Sequence, residues 1–482
     1  MTKTLRKTAV LSLLATACMA TFASQAQTEE DQDLLEYLNS QPGMSAVISE
    51  NQNYPEHTSI EIEYLQPTDH RQPGGEQFSQ HLKLLHKDSD IAMSLETHGY
   101  TGFSWPYMFE LAEEKGLNQL AVEHRYFGPS TPESKDMNHL NIRQAAKDMH
   151  RIIKAIRPFY DGKWVSTGSS KGGMTAIFHR YFYPRDVDAT LANVAPISFG
   201  RNDSRYGEFL ENVDTEACRA TLKEFQRTAL LRKDEVTAFI NSVPWMTMTH
   251  ETMGYDIAYD RAVAEHPFTF HQTGRFTCDS IPGPEGSAEA LTWEILGDLY
   301  TFSDAGLETY GSYFYQAYSQ LGHPELPTAH ISDLLTSDPN DYRTYLAVQP
   351  ERDRFDHSMR RINAWVKTRA NKLMLVYGDA DPWSAGQLTP RISKHRDNYK
   401  FTKVGGHHES SIFNLPAEDR AIAEAALDEW LDLPETETSP SLKHILRPVE
   451  QPKSAYAATA NPSGGVASDE VIVARMKEAM KH

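Results

Sequence analysis

Three cysteines among 482 residues are too few for a disulfide-built scaffold. Past the first thirty residues, no run approaches the roughly 20 apolar residues that a membrane-spanning helix needs. Positive charge is also scarce: 47 Lys and Arg stand against 66 Asp and Glu, a formal charge of −19. A nucleic-acid surface needs a basic excess, so that class of partner is excluded. Dinucleotide and phosphate loops are missing, and so is any internal repeat. His407-His408-Glu409 lacks the i, i+4 spacing of a zinc-binding H-E-x-x-H helix, and Asp186 and Asp188 read as surface carboxylates. Neither metal nor cofactor is expected. What remains is a water-soluble globular composition, 40% hydrophobic and 23% charged. The chain is long enough for one large domain with an insertion, or for two domains.

The first residues read as an address. Lys3, Arg6 and Lys7 precede the apolar stretch Ala9 to Phe22, and Ser24-Gln25-Ala26 offers a small-x-small cleavage site. The competing reading is lipidation of Cys18, although Ala15 stands where a larger aliphatic residue is usual. The expected location is therefore secreted or periplasmic. Without residues 1–26, Cys218 and Cys278 form the only possible pair, a disulfide in an oxidising compartment; the alternative is two buried thiols.

Residues 27–57 are acidic and polar, with one weak amphipathic turn (Leu34, Leu35, Tyr37, Leu38), and read as a loosely held arm. From Ser59 the pattern takes period two, as in a half-buried strand, and Phe78 to Leu85 reads as its antiparallel neighbour. Short apolar strands then alternate with helices: Ile91–Glu96, Leu117–Val122, Trp164–Thr167 and Thr190–Ala195, with helical patterns at Trp105–Glu114 and Leu140–Ile156. Such alternation implies a parallel sheet with right-handed crossovers, an α/β core over residues 58–199. It stops between residues 200 and 353, where aromatic-rich helical patterns dominate (Glu208–Lys233, Met253–Phe270, Ala290–Leu321). This stretch reads as a helical cap over the carboxyl ends of the strands, where open α/β sheets bind ligands. The core resumes over residues 354–434 with strands Lys372–Tyr377 and Tyr399–Val404 and the helix Ala417–Leu433. Residues 435–482 are rich in Pro, Ser, Ala and Gly and read as a mobile tail with one short helix near Val471–Met480.

The most informative stretch is Gly168-Ser169-Ser170-Lys171-Gly172, a G-x-S-x-G sequence between a strand and a helix. That context is a nucleophile elbow, in which glycines permit the sharp turn that exposes Ser170 Oγ. A serine hydroxyl needs a histidine base, and the histidine needs a carboxylate to fix its tautomer. Both occur after later strands, in the order Ser, acid, His. Asp379 and Asp381 compete for the acid; Asp381 is preferred because Pro382 constrains the backbone after it and Trp383 can shield it from water. The base is His407 or His408. The oxyanion requires backbone donors, expected from Lys171, which follows the nucleophile, and from Tyr100 in the His98-Gly99-Tyr100 turn.

With these pieces in place, the chain resembles the secreted prolyl tri- and tetrapeptidyl aminopeptidases, serine exopeptidases of the α/β-hydrolase fold distantly related to prolylcarboxypeptidases. The resemblance runs from about residue 58 to 432. It rests on Gln66-Pro67-Thr68-Asp69-His70, Glu123-His124-Arg125-Tyr126-Phe127-Gly128, the elbow, Tyr183-Pro184, Asp186-Val187-Asp188, Glu265 to Gln272, Tyr315-Gln316-Ala317, Asp381-Pro382-Trp383-Ser384 and Gly405-Gly406-His407-His408. In that family the last motif reads Gly-Gly-Asn-His-Gly, so the comparison assigns the base to His408, with His407 in the Asn place and Glu409 in the place of the Gly. The resemblance implies release of tri- or tetrapeptides, preferably ending in proline, from peptides with a free N-terminus. Such a reaction requires an apolar pocket near Ser170, for which Trp383 is a candidate lining residue, and a carboxylate for the substrate ammonium, for which Glu265 is the candidate, a structural ion pair being the other reading. An esterase or dipeptidyl-type peptidase on the same triad, or a catalytically silent binding protein on the same scaffold, are the alternatives.

Overall fold

Period-two alternation builds the first three strands. β1 (Met44–Ser49), β2 (Thr58–Pro67) and β3 (Gln77–His86) pair antiparallel, with Ile60 opposite Leu84 and Ile62 opposite Leu82, all four fully buried. The strands that follow are short and parallel: β4 (Met93–Thr97), β5 (Asn118–Val122), β6 (Trp164–Ser169), β7 (Ala189–Asn193), β8 (Leu373–Gly378) and β9 (Tyr399–Lys403). One nine-stranded sheet results, in the order β1-β2-β3-β5-β4-β6-β7-β8-β9. This computed structural model describes residues 28–434, apart from 52, 103–105, 275, 276, 352 and 394. The expected leader and Cys18, and the expected tail with its short helix, lie outside the described residues.

Helices cover both faces. α1 (Glu29–Ser40), α3 (Ile142–Ile156), α4 (Lys171–Phe182) and α11 (Ser358–Thr368) lie on one face, whereas α2 (Glu110–Lys115) and α12 (Ala417–Leu431) lie on the other. Successive residues of β8 show the division, since Leu373 and Leu375 face the first set while Met374 and Val376 face the second. In α3, Ile142, Ala145, Met149, Ile152, Ile153 and Ile156 are all buried, as their helical spacing predicts. An α/β-hydrolase core is thus formed. Between β7 and α11, among the described residues, come six cap helices with a core of their own: α5 (Ser204–Leu210), α6 (Glu216–Leu231), α7 (Lys233–Ser242), α8 (Tyr255–Thr273), α9 (Ala288–Thr301) and α10 (Asp304–Gln316). Cys218 in α6 and Cys278 are placed as a disulfide, with Cα atoms 5.3 Å apart. Among the described residues no helix is long and apolar enough to cross a membrane.

Several local expectations are corrected. Residues 29–49 are no loose arm: Thr28 and Asp31 form a capping box that starts α1, Leu34 and Leu38 are fully buried, and β1 adds an edge strand. The Leu34/Leu38 pair is too short a pattern to announce a helix alone; its partner surface lies far along the chain, where the Tyr37 hydroxyl donates to the carbonyl of Ala155 at 2.8 Å. The helical stretches of the cap are cut where side chains cap new helices, at Thr215 before α6 and Ser303 before α10. The helix expected over Trp105–Glu114 is seen only from Glu110. Asp186 and Asp188 are half-buried rather than surface groups. Asp186 Oδ2 meets His150 Nδ1 at 2.7 Å and His179 Nε2 at 3.0 Å, and Asp188 accepts from Arg157 and the Trp164 N–H.

Two of the quoted sequence pieces are explained by one residue. Arg125, fully buried, grips Asp148 through Nε (2.6 Å) and Nη2 (2.9 Å) and donates to the carbonyls of Pro67, Thr68 and His139. A buried guanidinium with all these acceptors anchors the end of β2 and the loop after β5 onto α3.

Candidate active site

Parallel β6, β7, β8 and β9 are neighbours, so their carboxyl ends open along one edge of the sheet. Ser170 lies between β6 and α4 with φ 54° and ψ −124°, a conformation rare for a residue bearing a Cβ. Its N–H donates to the Asn193 carbonyl at 2.9 Å, and its carbonyl accepts from Met174 N–H at 2.9 Å. The strained turn is thus held on both sides. Gly168 is required by close approach: a Cβ there would lie 2.6 Å from the Gly172 carbonyl carbon and 2.8 Å from the Thr97 oxygen.

Asp381 follows β8 and is fully buried; His408 follows β9. Asp381 Oδ2 lies 2.7 Å from His408 Nδ1, while Oδ1 accepts from the Trp383 N–H at 3.1 Å. Both Asp381 oxygens are therefore fixed, and the bond to Nδ1 leaves Nε2 as the imidazole's free acceptor. The competing residues are engaged elsewhere. Asp379 accepts from the Gly405 N–H at 2.6 Å, and His407 Nδ1 lies 2.6 Å from the His271 carbonyl. The structure thus brings Asp381 and His408 together at the edge that carries Ser170.

The two residues expected to supply oxyanion donors, Lys171 and Tyr100, are also brought side by side. Lys171 opens α4, so its N–H belongs to the first turn, where no intrahelical acceptor exists. The backbone of Gly99 presses on the same spot: a Cβ there would lie 2.6 Å from Lys171 Cβ and 2.8 Å from the Gly172 nitrogen. The Lys171 side chain has a role that its place in the sequence did not announce. It folds back, buried, over the rings of Phe127 (4.6 Å) and Tyr100 (5.1 Å), and Nζ donates to the Gly99 carbonyl. Burial holds its amine well below the ordinary lysine range. In a planar trans peptide the C=O and N–H point in opposite directions. With the Gly99 oxygen drawn to Lys171 Nζ, the Tyr100 N–H of the same peptide unit points the other way. The Tyr100 carbonyl is occupied too, accepting from the His124 N–H at 3.2 Å. The lysine side chain thereby fixes the peptide plane that carries the Tyr100 N–H.

The cap reaches this edge through the end of α8. The Gln272 carbonyl accepts from the His408 N–H at 3.1 Å, and Gln272 Oε1 accepts from Trp383 Nε1 at 3.0 Å. A single cap residue therefore touches both the loop that carries the acid and the loop that carries the base. Trp383 packs against Phe268 (4.9 Å), Tyr206 (5.7 Å) and His408 (6.1 Å), which makes an aromatic wall beside the imidazole. Gln272 was visible in the sequence only as the end of a quoted stretch, because its role depends on where a cap helix ends in space.

Glu265, one helical face with Gln272 along α8, is paired with Arg261 one turn back, as the ion-pair reading expected. Arg261 sits among the rings of Phe302, Tyr342 and Tyr345, 5.0–5.6 Å away. Burial raises the Glu265 carboxyl above its ordinary range, opposed by Arg261.

Comparison with known proteins adds the following. The family profile described as PS-10 peptidase S37 matches residues 28–448. The chain is 35% identical over 446 residues to a prolyl tri/tetrapeptidyl aminopeptidase of Streptomyces mobaraensis, covering 89% of this chain and 92% of that protein. It is 33% identical over 127 residues to the human lysosomal Pro-X carboxypeptidase, covering 24% of this chain and 25% of that one. Among solved structures, a proline iminopeptidase of Mycobacterium smegmatis aligns over 76% of this chain and 98% of its own, at 13% identity and a TM-score of 0.34.

Proposed function

This chain belongs to the PS-10 peptidase S37 family of serine-type peptidases, and from that premise we propose that it is an exported exopeptidase that releases tri- or tetrapeptides, preferably ending in proline, from free N-termini. Ser170 Oγ attacks the carbonyl of the third or fourth residue. His408 Nε2 takes the hydroxyl proton, and Asp381 holds the ring in the required tautomer and stabilises the imidazolium. The N–H groups of Lys171 and Tyr100 receive the oxyanion. The proton passes from His408 to the leaving amine, and water, activated by the same imidazole, then releases the acyl group from Ser170. The aromatic wall of Trp383, Phe268 and Tyr206 is the side of the site that suits a proline ring. Export and the Cys218–Cys278 bridge are parts of the same reading.

One observation carries the exopeptidase reading: α8 links a cap carboxylate to the catalytic loop. Glu265 and Gln272 are seven residues apart, close to two turns, so they share a face and are separated by roughly 10 Å along the axis. Three extended residues span about the same distance. A substrate lying along α8 with its amine near Glu265 places its third carbonyl near His408. The test compares Ala-Ala-Pro-p-nitroanilide with its N-succinyl derivative, on the wild type and on Ser170→Ala. Release from the free-amine substrate alone, lost in the variant, is expected. Equal release from both substrates contradicts an exopeptidase, and no release together with no fluorophosphonate labelling of Ser170 contradicts the triad.

A further inference from the structure

Among the cap's described acids, Asp260 Oδ1, Glu265 Oε2 and Asp298 Oδ2 are buried without a hydrogen bond; Lys233 and Arg261 face the first two as ion-pair partners, and Asp298 on α9 has no such cation. It is 8% exposed; Oδ1 accepts from the Thr269 hydroxyl at 2.7 Å, while Oδ2 is buried and makes no hydrogen bond. An acceptor buried without a partner is costly, and native structures tolerate one mainly where something else completes it. Thr269 is one turn beyond Glu265 on the same face of α8, which places Asp298 within electrostatic reach of Glu265. The neighbouring acid behaves differently: Glu294, also on α9, is matched by His266 Nε2 at 3.1 Å. Tyr313 of α10 connects this place to the catalytic edge, since it lies within electrostatic reach of Glu265 and its ring meets that of Tyr100, edge to face, at 5.7 Å.

We propose that Asp298 is the group that receives the substrate's α-ammonium, with Glu265 as the second, already partnered carboxylate of the same site. The inference rests on the aminopeptidase reading and changes its key residue. Glu265 cannot serve alone, because Arg261 already offsets its charge. Asp298 has an open oxygen and a fixed orientation, and an ammonium bonded to Oδ2 would satisfy an acceptor that the protein itself leaves open. The ligand class is a primary ammonium on an extended peptide; an acylated amine brings neither the charge nor the three donors. Burial, reinforced by Glu265, raises the Asp298 carboxyl to about 8, so the empty site is largely uncharged at neutral pH and becomes an ion pair when the cation enters. The groups that act on it are Glu265, Arg261 and the Thr269 hydroxyl, all from α8.

The test is Asp298→Asn, which keeps size and the Thr269 contact. KM for Ala-Ala-Pro-p-nitroanilide is expected to rise tenfold or more, while the rate of fluorophosphonate labelling of Ser170 stays at the wild-type value and KM for the des-amino analogue, propionyl-Ala-Pro-p-nitroanilide, does not move. A merely structural role would change labelling and both substrates together. Thr269→Val, which frees Asp298 without removing it, is expected to raise KM for the free amine severalfold and keeps the proposal testable if Asp298→Asn does not fold. Wild-type KM for the free-amine substrate in both variants overturns the assignment. If the wild type itself processes blocked and free substrates alike, the aminopeptidase reading fails; if it demands a free amine and Asp298→Asn leaves that demand unchanged, only the role of Asp298 fails.

Discussion

The catalytic edge of the sheet and the helical cap solve different problems with different materials. At the edge, each reactive side chain follows a strand whose neighbours fix it, and both oxygens of Asp381 and the backbone on either side of Ser170 are engaged. In the cap, ionisable groups are buried in an aromatic core with polar atoms unspent, including Asp298 Oδ2 and Arg261 Nε. A satisfied network gives one rigid geometry, as bond-making needs; an unsatisfied one leaves room for a ligand to complete it. The regions meet at Gln272, the cap residue that holds both catalytic loops.

The largest expected effect falls on the edge. Asp381→Asn retains the shape but favours the wrong tautomer of His408, and kcat is expected to fall on the order of 10⁴-fold with a normal KM. Next comes Lys171→Met, which keeps the backbone donor but releases the Gly99 carbonyl and with it the orientation of the Tyr100 N–H. Loss of one aligned oxyanion donor lowers kcat by about 10²-fold. If the side chain acts through the oxyanion hole, affinity for a peptidyl boronate falls in parallel with kcat, whereas a purely structural lysine would lower Tm without that parallel. At the junction, Gln272→Ala removes a single bond to Trp383, worth about 1 kcal/mol, and is expected to lower kcat about fivefold. A larger loss in KM than in kcat would show that the cap end serves binding alone.

How much of this was legible follows from how each feature is encoded. The elbow is a contiguous signal, so the sharp turn at Ser170 is legible at once, and chain order with strand ends points to Asp381 and His408, which the structure sets 2.7 Å apart. The choice of His408 over His407 came from family resemblance; nothing in two adjacent histidines says which one faces the acid. Residues 29–49 look like an arm in the sequence because Leu34 and Leu38 bury themselves in a cluster that includes partners over a hundred residues away. The contacts of Asp298 and Gln272 are silent in the sequence for a related reason. An acid or amide on a helix reads as a solvated face until another helix crosses it. The Lys171 side chain was equally hidden, as only the approach of Gly99 gives it a purpose.

The smallest effect compares the regions through stability and pH. Glu96 in β4 is buried in the core, and burial raises its carboxyl to about 8. Between its unfolded value, about 4.3, and 8 the native state holds a proton that the unfolded chain has released, so stability falls as pH rises through that window. Glu96→Gln is expected to flatten part of that fall in denaturant titrations at pH 5 and pH 8, with little effect on kinetics. Asp298→Asn is expected to flatten it similarly and to alter KM as well, which separates a structural buried acid from a binding one.

The most direct test of the account is a length series: the p-nitroanilides of Ala-Pro, Ala-Ala-Pro, Ala-Ala-Ala-Pro and a five-residue homologue, all with free amines, ranked by kcat/KM. The roughly 10 Å between Glu265 and Gln272 along α8 predicts a maximum at three residues, with four next and both two and five far below. A rate that is highest for the dipeptide, or indifferent to length, would contradict the claim that the cap measures the substrate from its amine.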